Sequence, residues 1–363
     1  MIKLVDVLVK PEKLLEVPPS ALSDIVSEAR YFNMLAQLKY LCESKGYWSS
    51  LPKKFTSHLS SASLFYENQR RKLEIEAEEI TKVLTPLNVQ WMYLKGGAYH
   101  LNGMTGFSGR MMSDIDILVE ESAISRVEAA FKDNSWVSAK ISNYDEKFYR
   151  SWSQEIPPLR HLYRQVELDV HFNILPKTLK ETVDGKYLFE QAVPMDSRPY
   201  QKVLKPHAML IHSAIHLFYE SEYHKGLRDL YDIWILIENY SAQENFWDDL
   251  IDLQSKIGNE ESIYLALRYS KMVYNASIPS TVLEHYDRYK PNKLYLSILD
   301  FCFLNVFTSM YPPHKKLGHS FSEGVLYLRG HLKRMPLRLL IPHLTKKSID
   351  KLKIQEEEVR DII

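Results

Sequence analysis

The sequence predicts an α+β protein, in which a compact α/β unit lies between an N-terminal helical cap and a C-terminal helical domain. Three observations predict it. Apolar residues recur at helical spacing as far as Leu84, the period shortens to that of strands from Val89, and helical spacing returns almost without interruption after Pro206. With 363 residues, 45% of them hydrophobic, the chain can bury a core across two or three structural units.

The first element is the apolar stripe Leu22, Ile25, Ala29, Phe32, Leu35 and Leu38, which ends at the breaker Lys45-Gly46. A longer amphipathic helix is expected over 63–84, where Leu73, Ala77, Ile80 and Leu84 punctuate a charged background until Pro86 stops it. Strands are expected over 89–94, 115–119, 136–141, 161–163 and 166–174, alternating with helical or turn segments. The C-terminal helices are expected over 209–219, 227–237, 246–257, 262–274 and 294–307. Boundaries near 60 and 200 divide the chain into a helical region (1–60), an α/β unit (61–200) and a helical domain (201–363). No internal repeat or Gly/Ser linker separates them, so the units are expected to pack together.

Lys plus Arg and Asp plus Glu each total 46, so no bulk attraction to nucleic acid or anionic membrane follows from net charge. The two cysteines, Cys42 and Cys302, are far apart and outside any metal-ligand spacing. They exclude a disulfide framework and a thiolate zinc site, and fit a reducing compartment. Asp6 interrupts the N-terminus where a signal peptide is most apolar, and no apolar run reaches spanning length. A cytoplasmic location is the expectation.

The chemistry concentrates in Tyr93-Leu94-Lys95-Gly96-Gly97-Ala98 and in Arg110-Met111-Met112-Ser113-Asp114-Ile115-Asp116-Ile117-Leu118-Val119. In the first segment an apolar strand runs into Gly96-Gly97 and a helix start, where backbone amides can approach a phosphate. In the second, Asp114 and Asp116 are one residue apart on a strand, which places both carboxylates on one face, with Ile115, Ile117 and Val119 toward the core. Adjacent anions repel, and a bound cation is the usual reason for such a pair, although Asp-X-Asp alone also fits a solvated face. A later strand, Val166-Glu167-Leu168-Asp169-Val170-His171-Phe172, sets Glu167, Asp169 and His171 opposite its apolar residues. If the two strands are neighbours, Asp169 completes a three-carboxylate site.

Gly-Gly followed by Asp-X-Asp and a later strand Asp resembles the polymerase β-like nucleotidyltransferases. Within that superfamily, Leu94-Lys95-Gly96-Gly97, Arg110 before Ser113-Asp114-Ile115-Asp116, and Leu168-Asp169-Val170-His171 resemble the uncharacterised bacterial nucleotidyltransferase family and the abortive-infection and toxin-type enzymes. The resemblance runs over roughly 65–240 and is strongest at 93–119. It departs at 101–106, where the interval between Gly97 and Asp114 is longer than usual and leaves the path of Arg110 open.

That resemblance implies a short mixed sheet flanked by helices, and transfer of a nucleoside monophosphate from an NTP such as ATP to a hydroxyl acceptor, releasing pyrophosphate. It implies Asp114, Asp116 and Asp169 as ligands of two Mg²⁺ ions, for which Mn²⁺ can substitute. Gly96, Gly97 and Ser113 become candidates for triphosphate contact, with Lys95 and Arg110 balancing the phosphate charge, although a lysine ending a strand also fits plain solvent exposure. His171 is either a partner of the metal ligands or a base.

Three weaker signals remain. Leu227-Arg228-Asp229-Leu230-Tyr231-Asp232-Ile233 resembles the Arg-Asp-Leu-Tyr-Asp helix that lies near the nucleotide cleft in toxin-type relatives; a surface helix with an Arg228 to Asp232 pair explains it equally. His212, His216 and Glu220 have helical ligand spacing, yet a packed helix boundary accounts for them better than zinc. The basic stretch 314–353 fits a polyanion or membrane contact, or a solvated face. The acceptor stays open among a small molecule, a protein side chain and tRNA, the last on the toxin-like reading. A catalytically silent nucleotide-binding scaffold is the alternative of another class.

Overall fold

The computed structural model describes residues 2–138, 141–176, 178–179, 183–342 and 345–346. The chain opens with helices α1 (Leu4–Val9), α2 (Pro19–Tyr31) and α3 (Leu35–Ser44), followed by the 32-residue α4 (Lys53–Leu84). The stripe expected on α2 and α3 is buried, from Leu22 through Leu38. Helix α4 starts ten residues before the expected 63, directly after Pro52, so position 60 lies inside it. The run Ser57 to Ser63 hides this start, because hydroxyl side chains dilute the apolar period between Phe55, Leu59 and Tyr66, all of which are buried.

The α/β unit continues as β1 (Trp91–Tyr93), α5 (Lys95–Leu101), β2 (Ile115–Val119), α6 (Ile124–Asp133), β3 (Trp136–Ser138), α7 (Asn143–Trp152), β4 (Leu159–His161), β5 (Glu167–His171), α8 (Lys186–Phe189), β6 (Ala192–Met195) and β7 (Arg198–Leu204). These strands form one mixed sheet in the order β3-β4-β5-β2-β1-β7-β6. Four strands fall where expected. The one expected over 161–163 lies over 159–161, because Nδ1 of His161 accepts from the main-chain N–H groups of Tyr163 and Arg164 and turns the chain there. Of the strand expected over 136–141, Ala139 and Lys140 lie outside the described residues.

Strands β6 and β7 were not anticipated. Pro194 and Pro199 break their patterns; Pro194 is tolerated on the edge strand β6, and Pro199 lies at the start of β7, away from the Tyr93 to Val203 pairing with β1. Position 200 therefore falls within β7. Parallel pairing of β7 beside β1 ties the end of this unit to its beginning.

Helices α9 (Pro206–Tyr219), α10 (Gly226–Tyr240), α11 (Phe246–Ile257), α12 (Glu260–Tyr274), α13 (Ser280–Asp287), α14 (Lys293–Thr308) and α15 (His319–Arg334) complete the chain. The buried apolar side chains form one cluster from Leu4 to Leu326. Among the described residues, no helix is long and apolar enough to cross a membrane.

Three cations of the basic stretch are committed to internal contacts. Arg329 is buried, donating to Phe218 O at 2.7 Å and Glu261 at 3.0 Å. Lys333 pairs with Glu261 at 3.0 Å and Arg334 with Glu220 at 2.6 Å. Lys347, Lys351 and Lys353 lie outside the described residues.

Candidate active site

Strand β1 hands the chain through extended Leu94 to Lys95, whose φ of +46° is left-handed although it is not glycine. The turn lifts the lysine side chain over the end of β2. Gly96 follows because a Cβ there would stand 2.5 Å from the Arg110 guanidinium and 3.1 Å from Met112. Its missing side chain is space for the loop that leads into β2. A Cβ on Gly97 would instead make ordinary contact with Tyr93 and Ile115 on the core side.

Asp116 is buried in β2, whereas Asp114 sits half-buried in the bend just before that strand. Parallel pairing of β2 with β5 sets Asp116 opposite Asp169, and Leu118 opposite His171. The neighbouring of strands that sequence left open is thus present in the sheet. Oδ1 of Asp116 accepts from Lys95 Nζ at 2.8 Å and from His171 Nε2 at 3.0 Å. The other ring nitrogen of His171 faces Glu155 Oε2 at 3.1 Å. Asp114 accepts from Ser113 Oγ at 3.0 Å.

Burial works against the charge on Asp116, but Lys95 and His171 outweigh it and hold the carboxyl well below its usual range. Asp169 has no hydrogen-bonded cation among the described residues, and the nearby charge of His171 only partly offsets what raises it. Burial, then the charges of Glu155 and Asp116, push it up to about 7. Burial opposes the Lys95 ammonium also, yet Asp116, Glu155 and Asp114 keep it protonated. Hence one lysine serves several carboxylates, and the site carries an excess of negative charge that a cation would relieve.

The donor set is hard oxygen, which fits Mg²⁺ or Mn²⁺. Among the described residues, no group of three His, Cys, Asp or Glu side chains is already drawn into metal-holding geometry, and Lys95 and His171 both hold Asp116 by Oδ1.

Helix α10 supplies the facing wall. Asp232 pairs with Arg110 Nε at 2.6 Å, both side chains being buried. Arg228 donates toward Met111 O at 3.5 Å and pairs with Asp229 at 3.3 Å, while Lys225 reaches Ser113 Oγ at 3.4 Å. The pair between Arg228 and Asp232 is not formed, and the helix is no surface helix: both residues are buried. Arg228 Nε and Asp232 Oδ1 are buried without a hydrogen-bond partner. The two walls enclose a cleft of about 130 Å³ lined by Lys95, Gly96, Ser113, Asp114, Asp116 and the α10 residues.

Residues 19–275 match the family described as uncharacterised nucleotidyltransferase. The chain belongs to this family. No curated protein matches it at a significant level. Among solved structures, an antigenic nucleotidyltransferase-like protein from Paracoccidioides brasiliensis is 15% identical, with 58% of this chain and 96% of that chain covered and a TM-score of 0.35. The likeness is too distant to assign any residue.

Several residues of this nucleotidyltransferase cleft carry no motif signal. Gln69 of α4 clamps the loop before Asp114, its side-chain amide donating to Met112 O and accepting from Met112 N at 2.9 Å. His100 donates through Nε2 to Arg110 O and receives Tyr66 Oη at 3.2 Å on Nδ1. Gly109, at φ +83°, lies so close to the backbone of Ala36 and Gln37 that a Cβ would collide with it. The N-terminal helices thus buttress the loop that carries Arg110 and Asp114.

His216 also lines the cleft, 3.5 Å from Glu220, which itself holds Arg334. Burial beside Lys95 pushes His212 down to about 3 and keeps it neutral. These histidines pack a helix boundary against the α/β unit, and no zinc set forms among the described residues.

Proposed function

We propose that this nucleotidyltransferase moves a nucleoside monophosphate from an NTP to a hydroxyl acceptor. In that reaction the acceptor oxygen bonds to the α-phosphorus, the bond to the bridging oxygen breaks, and pyrophosphate leaves. The observation that carries the reading is the register of β2 against β5, which sets Asp116 beside Asp169 at the edge of a cleft that also presents Lys95, Lys225 and Arg228.

Asp114, Asp116 and Asp169 would hold Mg²⁺ or Mn²⁺. When bound, such ions lower the pKa of an attacking hydroxyl and neutralise a departing pyrophosphate. Lys95 supplies positive charge at the sheet edge, and Lys225 and Arg228 supply it from α10. Arg110, locked on Asp232, orients the loop below them and is not free to bind phosphate with its Nε. Ser113, between Asp114 and Lys225, is the hydroxyl placed to meet a phosphate oxygen.

The acceptor is proposed only as a hydroxyl compound. The toxin-like reading on tRNA leaned on the basic stretch, and three of its cations are engaged internally. Incubation of the purified protein with Mg²⁺, each NTP and candidate acceptors, followed by a pyrophosphate assay, tests the reading. Pyrophosphate release that needs Mg²⁺ and an acceptor supports it. Nucleotide binding without any turnover points to the scaffold alternative.

A further inference from the structure

We propose that Glu155 is a positioning residue that fixes the Asp116 carboxylate through His171, a role that rests on the metal-dependent transfer reading above. Glu155 lies outside every segment that carried a motif, on the loop between α7 and β4. Its backbone is nevertheless pinned to the end of β5. It forms a β-bridge with His171, Ile156 N–H donates to Val170 O at 3.1 Å, and Phe172 N–H donates to Gln154 O at 2.9 Å.

The side chains continue that connection. Glu155 Oε2 stands 3.1 Å from His171 Nδ1, and His171 Nε2 stands 3.0 Å from Asp116 Oδ1. The ring is 7% exposed, and it cannot turn without breaking both contacts. Lys95 takes the same oxygen of Asp116. Both holds on this carboxylate therefore fall on Oδ1, while Oδ2 has no protein hydrogen-bond partner among the described residues. Asp116 lines the cleft with Asp114 and is paired in register with Asp169 on β5, so the strut leaves Oδ2 as the oxygen available to a cation. Outer partners of this kind typically change metal affinity or activity by 10- to 100-fold when they are removed.

Two conservative variants separate positioning from charge. Glu155→Gln keeps the reach and an oxygen that accepts from His171 Nδ1, but removes the charge. Glu155→Asp keeps the charge and withdraws the oxygens by one carbon. Mn²⁺ alone, added to the full chain and followed by electron paramagnetic resonance, reports site geometry without any turnover. The strut predicts that Glu155→Asp and Glu155→Ala weaken Mn²⁺ binding by on the order of 10- to 100-fold, while Glu155→Gln stays within a few-fold of the parent and all melt as the parent does.

The reverse order, with Gln weak and Asp unaffected, would overturn the proposal in favour of a charge effect. So would equal binding by all variants, or a parent chain that binds no Mn²⁺. If Ala does not fold, the Asp and Gln pair decides. Label transfer from α-labelled NTP is measured in parallel. A parent that binds Mn²⁺ with the predicted variant order but transfers nothing defeats the transfer reading and leaves the strut standing.

Discussion

On the sheet wall of the cleft, Asp114 and Asp116 stand beside a single lysine, Lys95, with Glu155 joined through His171 and Asp169 across the β2 to β5 register, whereas on the helical wall Lys225 and Arg228 alternate with Asp229 and Asp232. The sheet wall is held by backbone: parallel register fixes Asp116 opposite Asp169 whatever the side chains do. Packing holds the helical wall, chiefly through the Arg110 to Asp232 pair that joins residues 122 positions apart. On the proposed reaction the difference gives the walls separate jobs. Excess negative charge on the sheet suits cations, and the nearly balanced charge of α10 suits the phosphates those cations bring.

The comparison is easiest to break at the brace. Asp232→Ala leaves the buried Arg110 guanidinium without its partner and should cost about 3–5 kcal/mol of stability, read as a lowered denaturation midpoint. Asp114→Asn, at the half-buried bend before β2, should leave that midpoint nearly unchanged. Equal midpoints for Asp232→Ala and the parent would mean that the helical wall is not braced this way.

The next effect is on pH. Burial, against the hydrogen bond that His100 donates to Arg110 O, pushes His100 down to about 4. Its folded-state pKa lies below its unfolded value near 6.5, so above pH 6.5 it is neutral in both states and contributes no pH dependence. As pH falls from 6.5 to 4, only the unfolded chain takes up the proton, and stability drops by up to about 3 kcal/mol. His100→Gln should flatten melting temperature against pH in that window. An unchanged slope would remove His100 from the brace.

Smaller effects sharpen the division of labour. Lys225→Ala, at an exposed position, should raise the KM for NTP roughly 10-fold, about 1.4 kcal/mol, with kcat and melting nearly unchanged. Gln69→Glu loses the donor to Met112 O and should lower kcat a few-fold with little change in KM, since it loosens Asp114 without touching α10. A KM effect from Gln69→Glu would show that the two walls are not independent.

How much of this was legible follows the same division. The period-two patterns of β2 and β5 exposed Asp114, Asp116, Asp169 and His171, because strand alternation is a local property. The pairing of those strands is not local, and neither is the reach of Lys95 onto Asp116. The Arg110 to Asp232 pair was visible only as two unrelated motifs, and it stands in place of the Arg228 to Asp232 pair that was one of two explanations of that helix. Gln69 and Glu155 had no pattern to betray them, since a glutamine on a charged helix and a glutamate in a loop look like surface residues. In the fold, Pro194 and Pro199 concealed β6 and β7, and α13 and α15 were not anticipated, while α9 to α12 and α14 were plain from their apolar spacing.

The central claim is that the Asp114, Asp116 and Asp169 cluster drives metal-dependent transfer of a nucleoside monophosphate. It is tested most directly by supplying α-labelled NTP, Mg²⁺ and candidate acceptors to the parent and to Asp114→Asn and Asp116→Asn. The account predicts acceptor labelling by the parent that EDTA abolishes and each substitution lowers by on the order of 1,000-fold, since the lost ligand weakens several kcal/mol of metal stabilisation. Labelling that survives both substitutions would contradict it.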